Sequence, residues 1–223
     1  MRSAAAIARE TSSCRAAIGR IGEAGLTAGG AQRVAGTGLT LWFVENFLSA
    51  EDCAFLIGQI EANRIPSITL ATTPELDHRT SESGNLDRWD PRVQAIDGAI
   101  CTLLGLDERQ GETLQGQRYG PGQFFRSHHD WFHTDQPYWP QQARTGGQRT
   151  WTAMIYLNQP EAGGQTHFGA AGLTVTPRPG MLVAWNNMGE DGAPNIYAAH
   201  EGCDVTAGTK YVVTKWFREG NWV

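Results

Sequence analysis

The spacing of apolar positions changes character twice along the 223 residues. Residues 1–37 are rich in Ala, Gly and Arg and close on a run studded with Gly25, Gly29, Gly30, Gly36 and Gly38. This pattern predicts a helix over roughly 4–22 that gives way to a linker. Leu39-Thr40-Leu41-Trp42-Phe43-Val44 has the make-up of a strand and marks where the fold proper is expected to begin. Ser49, with Asp52 three residues on, reads as a helix cap. Cys53, Leu56, Ile57 and Ile60 then recur at i, i+3, i+4 and i+7, which predicts one buried face. Asp90 and Pro91 open a second helix, with Val93, Ile96, Ile100 and Leu103 on one face and Gly105 just past its end. The polar stretch between them, 70–88, reads as irregular.

Beyond Glu112 the period shortens. Short β-like runs at 113–119, 123–130, 150–158, 165–168, 172–176, 181–185, 196–201 and 210–217 are divided by Gly and Pro turns. Eight short strands so punctuated predict a jelly-roll or sandwich, not a parallel sheet. The expected fold class is mainly β with flanking helices (α+β). Residues 1–37 are expected to be a helical or flexible N-terminal extension. One domain is expected over 38–223, with helical support at 49–105 and a β core at 112–218.

Composition narrows the function. Eighteen Lys and Arg against 23 Asp and Glu leave a net charge of -5, with no basic run, so neither a nucleic-acid clamp nor a polybasic membrane binder is expected. No apolar stretch approaches the ~20 residues of a membrane span, and the N-terminus lacks the apolar region of a secretory signal. The four Cys, at 14, 53, 101 and 203, show neither CxxC spacing nor disulfide density, so reduced thiols in a cytoplasmic protein are expected.

Candidate chemistry is concentrated at 128–133, where three of the six His fall. In a strand, His128 and Asp130 project to the same face while His129 points away. One imidazole and one carboxylate so placed are two-thirds of a 2-His-1-carboxylate facial triad, the set that suits non-haem Fe(II) and leaves coordination positions open. His133 and Asp135 repeat the spacing, so the pair alone does not single out a site. A third ligand has to come from His78, His167 or His200. His200 closes the apolar run 196–199, and Lys210 follows ten residues later. If 205–209 turns a hairpin, His200 faces about residue 214 and Lys210 lies ~13 Å along the sheet. A five-carbon dicarboxylate chelating the metal, together with an extended lysine side chain, would fill that gap. Lys210, Val212, Thr214 and Trp216 share strand parity, so the ammonium and the indole are expected to face one cavity.

Taken in order, the motifs from Leu39 to Phe217 resemble the 2-oxoglutarate and Fe(II)-dependent dioxygenases of the prolyl 4-hydroxylase type. The resemblance is carried by Phe47-Leu48-Ser49 with Asp52-Cys53, Arg79-Thr80-Ser81, 112–119, His128-x-Asp130 and Gly163-Gly164-x-Thr166-x-Phe168. It continues through His200-x-Gly202-Cys203-x-Val205, Gly208-x-Lys210 and Thr214-Lys215-Trp216. It implies a double-stranded β-helix, with His128, Asp130 and His200 as catalytic metal ligands. Tyr119, nine residues before His128, is implied to contact 2-oxoglutarate, and Lys210 to pair with its C5 carboxylate.

The cofactors so implied are Fe(II), 2-oxoglutarate and O2, with ascorbate as reductant. The reaction implied is hydroxylation of an unactivated C–H bond with release of succinate and CO2. The substrate so implied is a prolyl residue or a proline-like amino acid or metabolite, and Phe125, Trp131, Arg149 and Trp216 are candidates to meet it. Six of the eight Trp lie beyond residue 130 and are expected to wall the cavity. Phe125, Trp131, Asp204 and Tyr211 depart from the residues usual in peptide prolyl hydroxylases, which sets a small-molecule substrate beside a peptidyl one. Two other readings stand: a jelly-roll hydrolase or isomerase holding Zn on the same three residues, which Lys210 and Tyr119 argue against, and a non-catalytic binding domain.

Overall fold

The structure is a computed structural model that describes residues 4–67 and 78–223. Its first helix, α1 (Ala4–Ala28), continues past the predicted end at about 22 because Ile18 and Leu26 are buried in the main core. Gly25, read as part of a linker, and Gly22, at the predicted helix end, are points of close approach. A Cβ on Gly22 would lie 2.4 Å from the Trp151 indole, and one on Gly25 would lie 2.5 Å from the Leu104 carbonyl carbon. The next strand, β1 (Gln32–Ala35), pairs antiparallel with β2 (Thr40–Val44). Residues 1–37, expected as a helical or flexible extension, thus include a helix that packs on the core and a strand that edges the main sheet.

Helix α2 (Ala50–Asn63) starts where predicted, with Ser49 Oγ accepting from the Asp52 N–H at 3.0 Å and Cys53, Leu56 and Ile60 buried. The stretch read as irregular contributes β4 (Glu82–Asn85), which pairs with β3 (Ile65–Pro66); its portion at 70–77 lies outside the described residues. Helix α3 (Pro91–Leu104) is capped by Asp90, which accepts from the N–H groups of Arg92 and Val93, and is ended by Gly105 at φ 63. There follow β5 (Gln115–Tyr119), β6 (Phe125–His128), the short α4 (Trp139–Arg144), β7 (Arg149–Tyr156) and β8 (Ala162–Gly163). The chain closes with β9 (Thr166–Phe168), β10 (Leu173–Val175), β11 (Leu182–Asn186), β12 (His200–Gly202), β13 (Val205–Ala207) and β14 (Lys210–Arg218). Ile196–Ala198, expected as strand, is a 3-10 turn in which the Asn195 side chain accepts from the Tyr197 N–H.

The strands form an eight-stranded sheet, β1-β2-β11-β7-β14-β5-β4-β3, and a four-stranded sheet, β10-β9-β12-β6. Their pairings are antiparallel throughout, and the two sheets make the jelly-roll of a double-stranded β-helix. Period-two alternation divides the core. Trp151, Ala153, Ile155, Val213 and Phe217 face the helices, while Met154, Tyr156, Val212 and Trp185 face the small sheet.

The hairpin expected across 205–209 does not form. His200 pairs with His128 in the small sheet, whereas Thr214 pairs with Gln115 in the large one. The segment between them, β13, is taken up by pairing with β8. No helix among the described residues is long and apolar enough to cross a membrane.

Candidate active site

The antiparallel pairing of β6 with β12 sets His128 and His200 directly opposite one another, 72 positions apart in sequence. Their ring centroids lie 4.3 Å apart. His128 Nδ1 bonds the Arg126 carbonyl at 2.9 Å and His200 Nδ1 bonds the Ala198 carbonyl at 3.0 Å. A carbonyl only accepts, so each Nδ1 carries the proton and each Nε2 presents a lone pair. Those Nε2 atoms lie 3.8 Å from Asp130 Oδ1 and 3.9 Å from Asp130 Oδ2. One ligand atom from each of the three residues falls within 4.8 Å of the others, and no further His, Cys, Asp or Glu among the described residues joins them.

Burial, reinforced by the neighbouring His200, holds the His128 pKa well below its ordinary value and keeps the ring neutral. Burial pushes Asp130 the other way, but His200, His128, Arg149 and the Thr152 hydroxyl outweigh it and keep the carboxylate ionised. Two imidazoles and one carboxylate from a single side are the donor set that suits Fe(II). His133 and Asp135, the competing pair, do not enter such a cluster. His167 is occupied by Thr174, and His78 sets its ring edge against Phe125.

Lys210 and Tyr119 are themselves cross-strand partners, between β14 and β5. Both line the cleft that contains His128, Asp130 and His200. Lys210 is 2% exposed, and burial lowers its pKa to about 8. Its ammonium lies over the rings of Tyr119 and Tyr156, at 5.2 and 5.5 Å. Among the described residues no carboxylate forms an ion pair with it, whereas Lys215 on the same strand meets Asp97 at 2.6 Å. The Tyr119 hydroxyl donates to Gln117 Oε1 at 2.9 Å.

The residues expected to meet substrate separate into two groups. Phe125 lines the cleft, with its ring stacked 3.5 Å from His128 and the Arg79 guanidinium 4.6 Å away on it. Trp216 also lines the cleft, and among the described residues its buried Nε1 has no hydrogen-bond partner; nor has the buried Nη2 of Arg79. Arg149 and Trp131 are placed otherwise. Arg149 is held by both oxygens of Glu112, at 2.6 and 2.8 Å, so its charge is already answered within the protein, and it lies 3.9 Å over the Trp216 ring. Trp131 does not line the cleft; its ring sits between His129 and His133, and its Nε1 donates to the Asn195 carbonyl.

Of the late tryptophans only Trp185 and Trp216 line the cleft, and Trp151 lies on the helix side of the sheet. Sequence reasoning missed Thr152, which donates to Asp130 Oδ2 at 2.7 Å, and Asn187, which donates to Thr152 at 2.8 Å. The available signal was a threonine with inward parity in a largely apolar central strand.

Residues 114–218, from the start of β5 to the end of β14, match the family model for the 2OG-Fe(II) oxygenase superfamily. Prolyl 4-hydroxylase 1 of Arabidopsis thaliana is 30% identical over 196 residues, which cover 79% of this chain and 68% of that protein. Human prolyl 4-hydroxylase subunit alpha-3 is 36% identical over 148 residues, 65% of this chain but 27% of the subunit. Among solved structures, the viral collagen prolyl hydroxylase of Paramecium Bursaria Chlorella virus-1, in its 2OG complex, superposes with a TM-score of 0.62 at 23% identity. The match covers 80% of this chain and 95% of that one, a likeness of fold.

Proposed function

Since the chain belongs to the 2OG-Fe(II) oxygenase superfamily, as a dioxygenase of the prolyl 4-hydroxylase type, we propose that it hydroxylates prolyl residues within peptides. In this reading His128, Asp130 and His200 hold Fe(II), and Lys210 and Tyr119 hold 2-oxoglutarate. Iron and 2-oxoglutarate, when bound, supply the oxidising chemistry that turns O2 and a C–H bond into hydroxyl, succinate and CO2.

The observation that carries the proposal is the buried ammonium of Lys210 in the same cleft as the three metal-ligand candidates, with no ion-paired carboxylate among the described residues. A desolvated cation without an anion is costly, and a dicarboxylate anchored at its other end relieves that cost. Metal-assisted hydrolysis on the same three ligands would leave Lys210 unexplained. The two Nδ1 bonds to backbone carbonyls keep both imidazoles aimed inward before any ligand arrives. Phe125, clamped between Arg79 and His128, and Trp216, under Arg149, form rigid apolar walls that position a compact pyrrolidine ring and exclude water.

A peptidyl substrate is favoured over a free amino acid by the polar groups that remain. Arg79 Nη2 and Trp216 Nε1 are unpartnered donors, which suit peptide carbonyls. A free amino acid also carries an α-ammonium, and the nearby carboxylates are engaged: Asp130 with the histidines and Thr152, and Glu112 with Arg149 and Arg218. The test is succinate release with proline-rich peptides set against free amino acids, with mass spectrometry locating one added oxygen on a prolyl residue. Turnover confined to free amino acids would overturn the peptidyl assignment.

A further inference from the structure

We propose that Thr152 and Asn187 are positioning residues for the metal ligand Asp130, aligned by a one-way chain of hydrogen bonds that starts at the Trp185 indole. The inference rests on the reading of His128, Asp130 and His200 as a metal site.

An indole N–H can only donate. Trp185 Nε1 donates to Asn187 Oδ1 at 3.0 Å, which turns the amide nitrogen of Asn187 to the other side. Nδ2 then donates to Thr152 Oγ1 at 2.8 Å. With its oxygen accepting, the Thr152 hydroxyl directs its own hydrogen to Asp130 Oδ2, at 2.7 Å. The reverse direction would set the indole N–H against an NH2 group and leave Asp130 Oδ2 without a donor. Water offers no alternative partner, because Asn187 and Thr152 are fully buried and Trp185 and Asp130 are 1% and 5% exposed.

The frame around the chain is fixed as well. Trp185 and Thr152 are cross-strand partners between β11 and β7. The Asn187 backbone is held on both sides, its N–H donating to the Thr150 carbonyl and its carbonyl accepting from Asn195. The result is a carboxylate with one oxygen engaged and the other, Oδ1, free to bind metal beside His128 Nε2. The same indole meets the His200 ring edge-on at 4.9 Å, so one side chain braces two ligands. Outer partners of this kind set ligand orientation and are worth about 10–100-fold in metal affinity.

The test is Co(II) binding to the metal-free full chain, followed by titration and by the visible Co(II) spectrum, with no turnover required. Thr152→Val keeps the shape of the side chain and removes the donor; it is expected to weaken binding about 10–100-fold and to alter the spectrum. Thr152→Ser keeps the hydroxyl and is expected to bind like the wild type. Asn187→Leu frees the Thr152 hydroxyl to rotate and is expected to weaken binding, but to add nothing in the Thr152→Val background. Unchanged affinity in Thr152→Val, or full additivity of the two losses, overturns the relay. Should Asn187→Leu fail to fold, the Val and Ser variants at 152 decide the matter alone. If the wild type does not bind Co(II), or His128→Ala binds it equally well, the metal-site reading itself falls, an outcome distinct from failure of the relay.

Discussion

Lys210 has to be charged to hold a carboxylate, yet its burial favours the neutral form. With a pKa of about 8 in the ligand-free protein, it is about nine-tenths protonated at pH 7 and about one-tenth at pH 9. 2-Oxoglutarate is a dianion throughout that range, so its apparent dissociation constant should scale inversely with the protonated fraction and rise about tenfold from pH 7 to pH 9. Binding pulls the lysine pKa upward, so the complex should take up close to one proton per ligand at pH 9 and almost none at pH 7. Lys210→Met removes both effects. It leaves a buried carboxylate unpaired, at about 2–5 kcal/mol, or a thirtyfold to several-thousandfold loss of affinity, and the remaining binding should be flat with pH.

The assay is anaerobic calorimetry of 2-oxoglutarate binding to the metal-loaded protein in two buffers of different ionisation enthalpy. A wild-type affinity that stays level between pH 7 and pH 9, or a slope that survives in Lys210→Met, would refute the assignment. Stability has the opposite sign in the ligand-free protein. A lysine whose folded pKa lies below its unfolded one adds stability as pH rises from about 8 towards 10.5, the range in which ligand is lost.

Leu26→Ala tests whether α1 is integral: the side chain is fully buried, so urea unfolding should show a loss of about 2–5 kcal/mol, against little change for the exposed Ile21→Ala. Glu112→Gln should lower stability by about 3–5 kcal/mol, because Arg149 and Arg218 would lose their shared anion in a buried setting. Although burial pushes the Glu112 pKa upward, those two arginines bring it below the ordinary value. Its stabilisation is therefore present above the unfolded value, lost as pH falls through the folded one, and should be missing from the acid-unfolding profile of Glu112→Gln. His128→Ala should abolish Fe(II) binding while His133→Ala leaves it within about twofold, since only the first belongs to the convergent triad; equal losses would reject the choice between the two motifs.

What sequence revealed and what it hid follow from the range of the interactions involved. Helix caps are local: Ser49 marked the start of α2, and Asp90, Pro91 and Gly105 marked both ends of α3 to within a residue. The central strands were legible because one face meets helices and the other meets the small sheet, and because glycine turns separate them. Glycine misled in α1, where Gly22 and Gly25 let the helix approach Trp151 and Leu104 closely; flexible linker and close contact share one composition. The strand β4, Glu-Ser-Gly-Asn, has no strand propensity and exists because β5 offers it an edge, a tertiary effect invisible in a window of residues. Local reasoning also paired β12 with β14, when the two belong to different sheets.

The two buried lysines of β14 show how strand parity sorts a paired charge from one without an ion-pair partner among the described residues. Lys210 and Lys215 lie five residues apart on one strand and are each 2% exposed. An odd offset turns them to opposite faces. On the helix side, Lys215 finds Asp97 of α3 at 2.6 Å, and its charge is neutralised within the fold. On the inner side, the neighbours of Lys210 are the aromatic faces of Tyr119 and Tyr156, which attract a cation but do not neutralise it. Moving a carboxylate beside Lys210 would stabilise the empty protein and close the site to an anion. If Lys210 meets an external carboxylate as proposed, its depressed pKa is the thermodynamic counterpart of that affinity: burial lowers the one and the other relieves it, and among the described residues the strand supplies a carboxylate only to Lys215 on its other face.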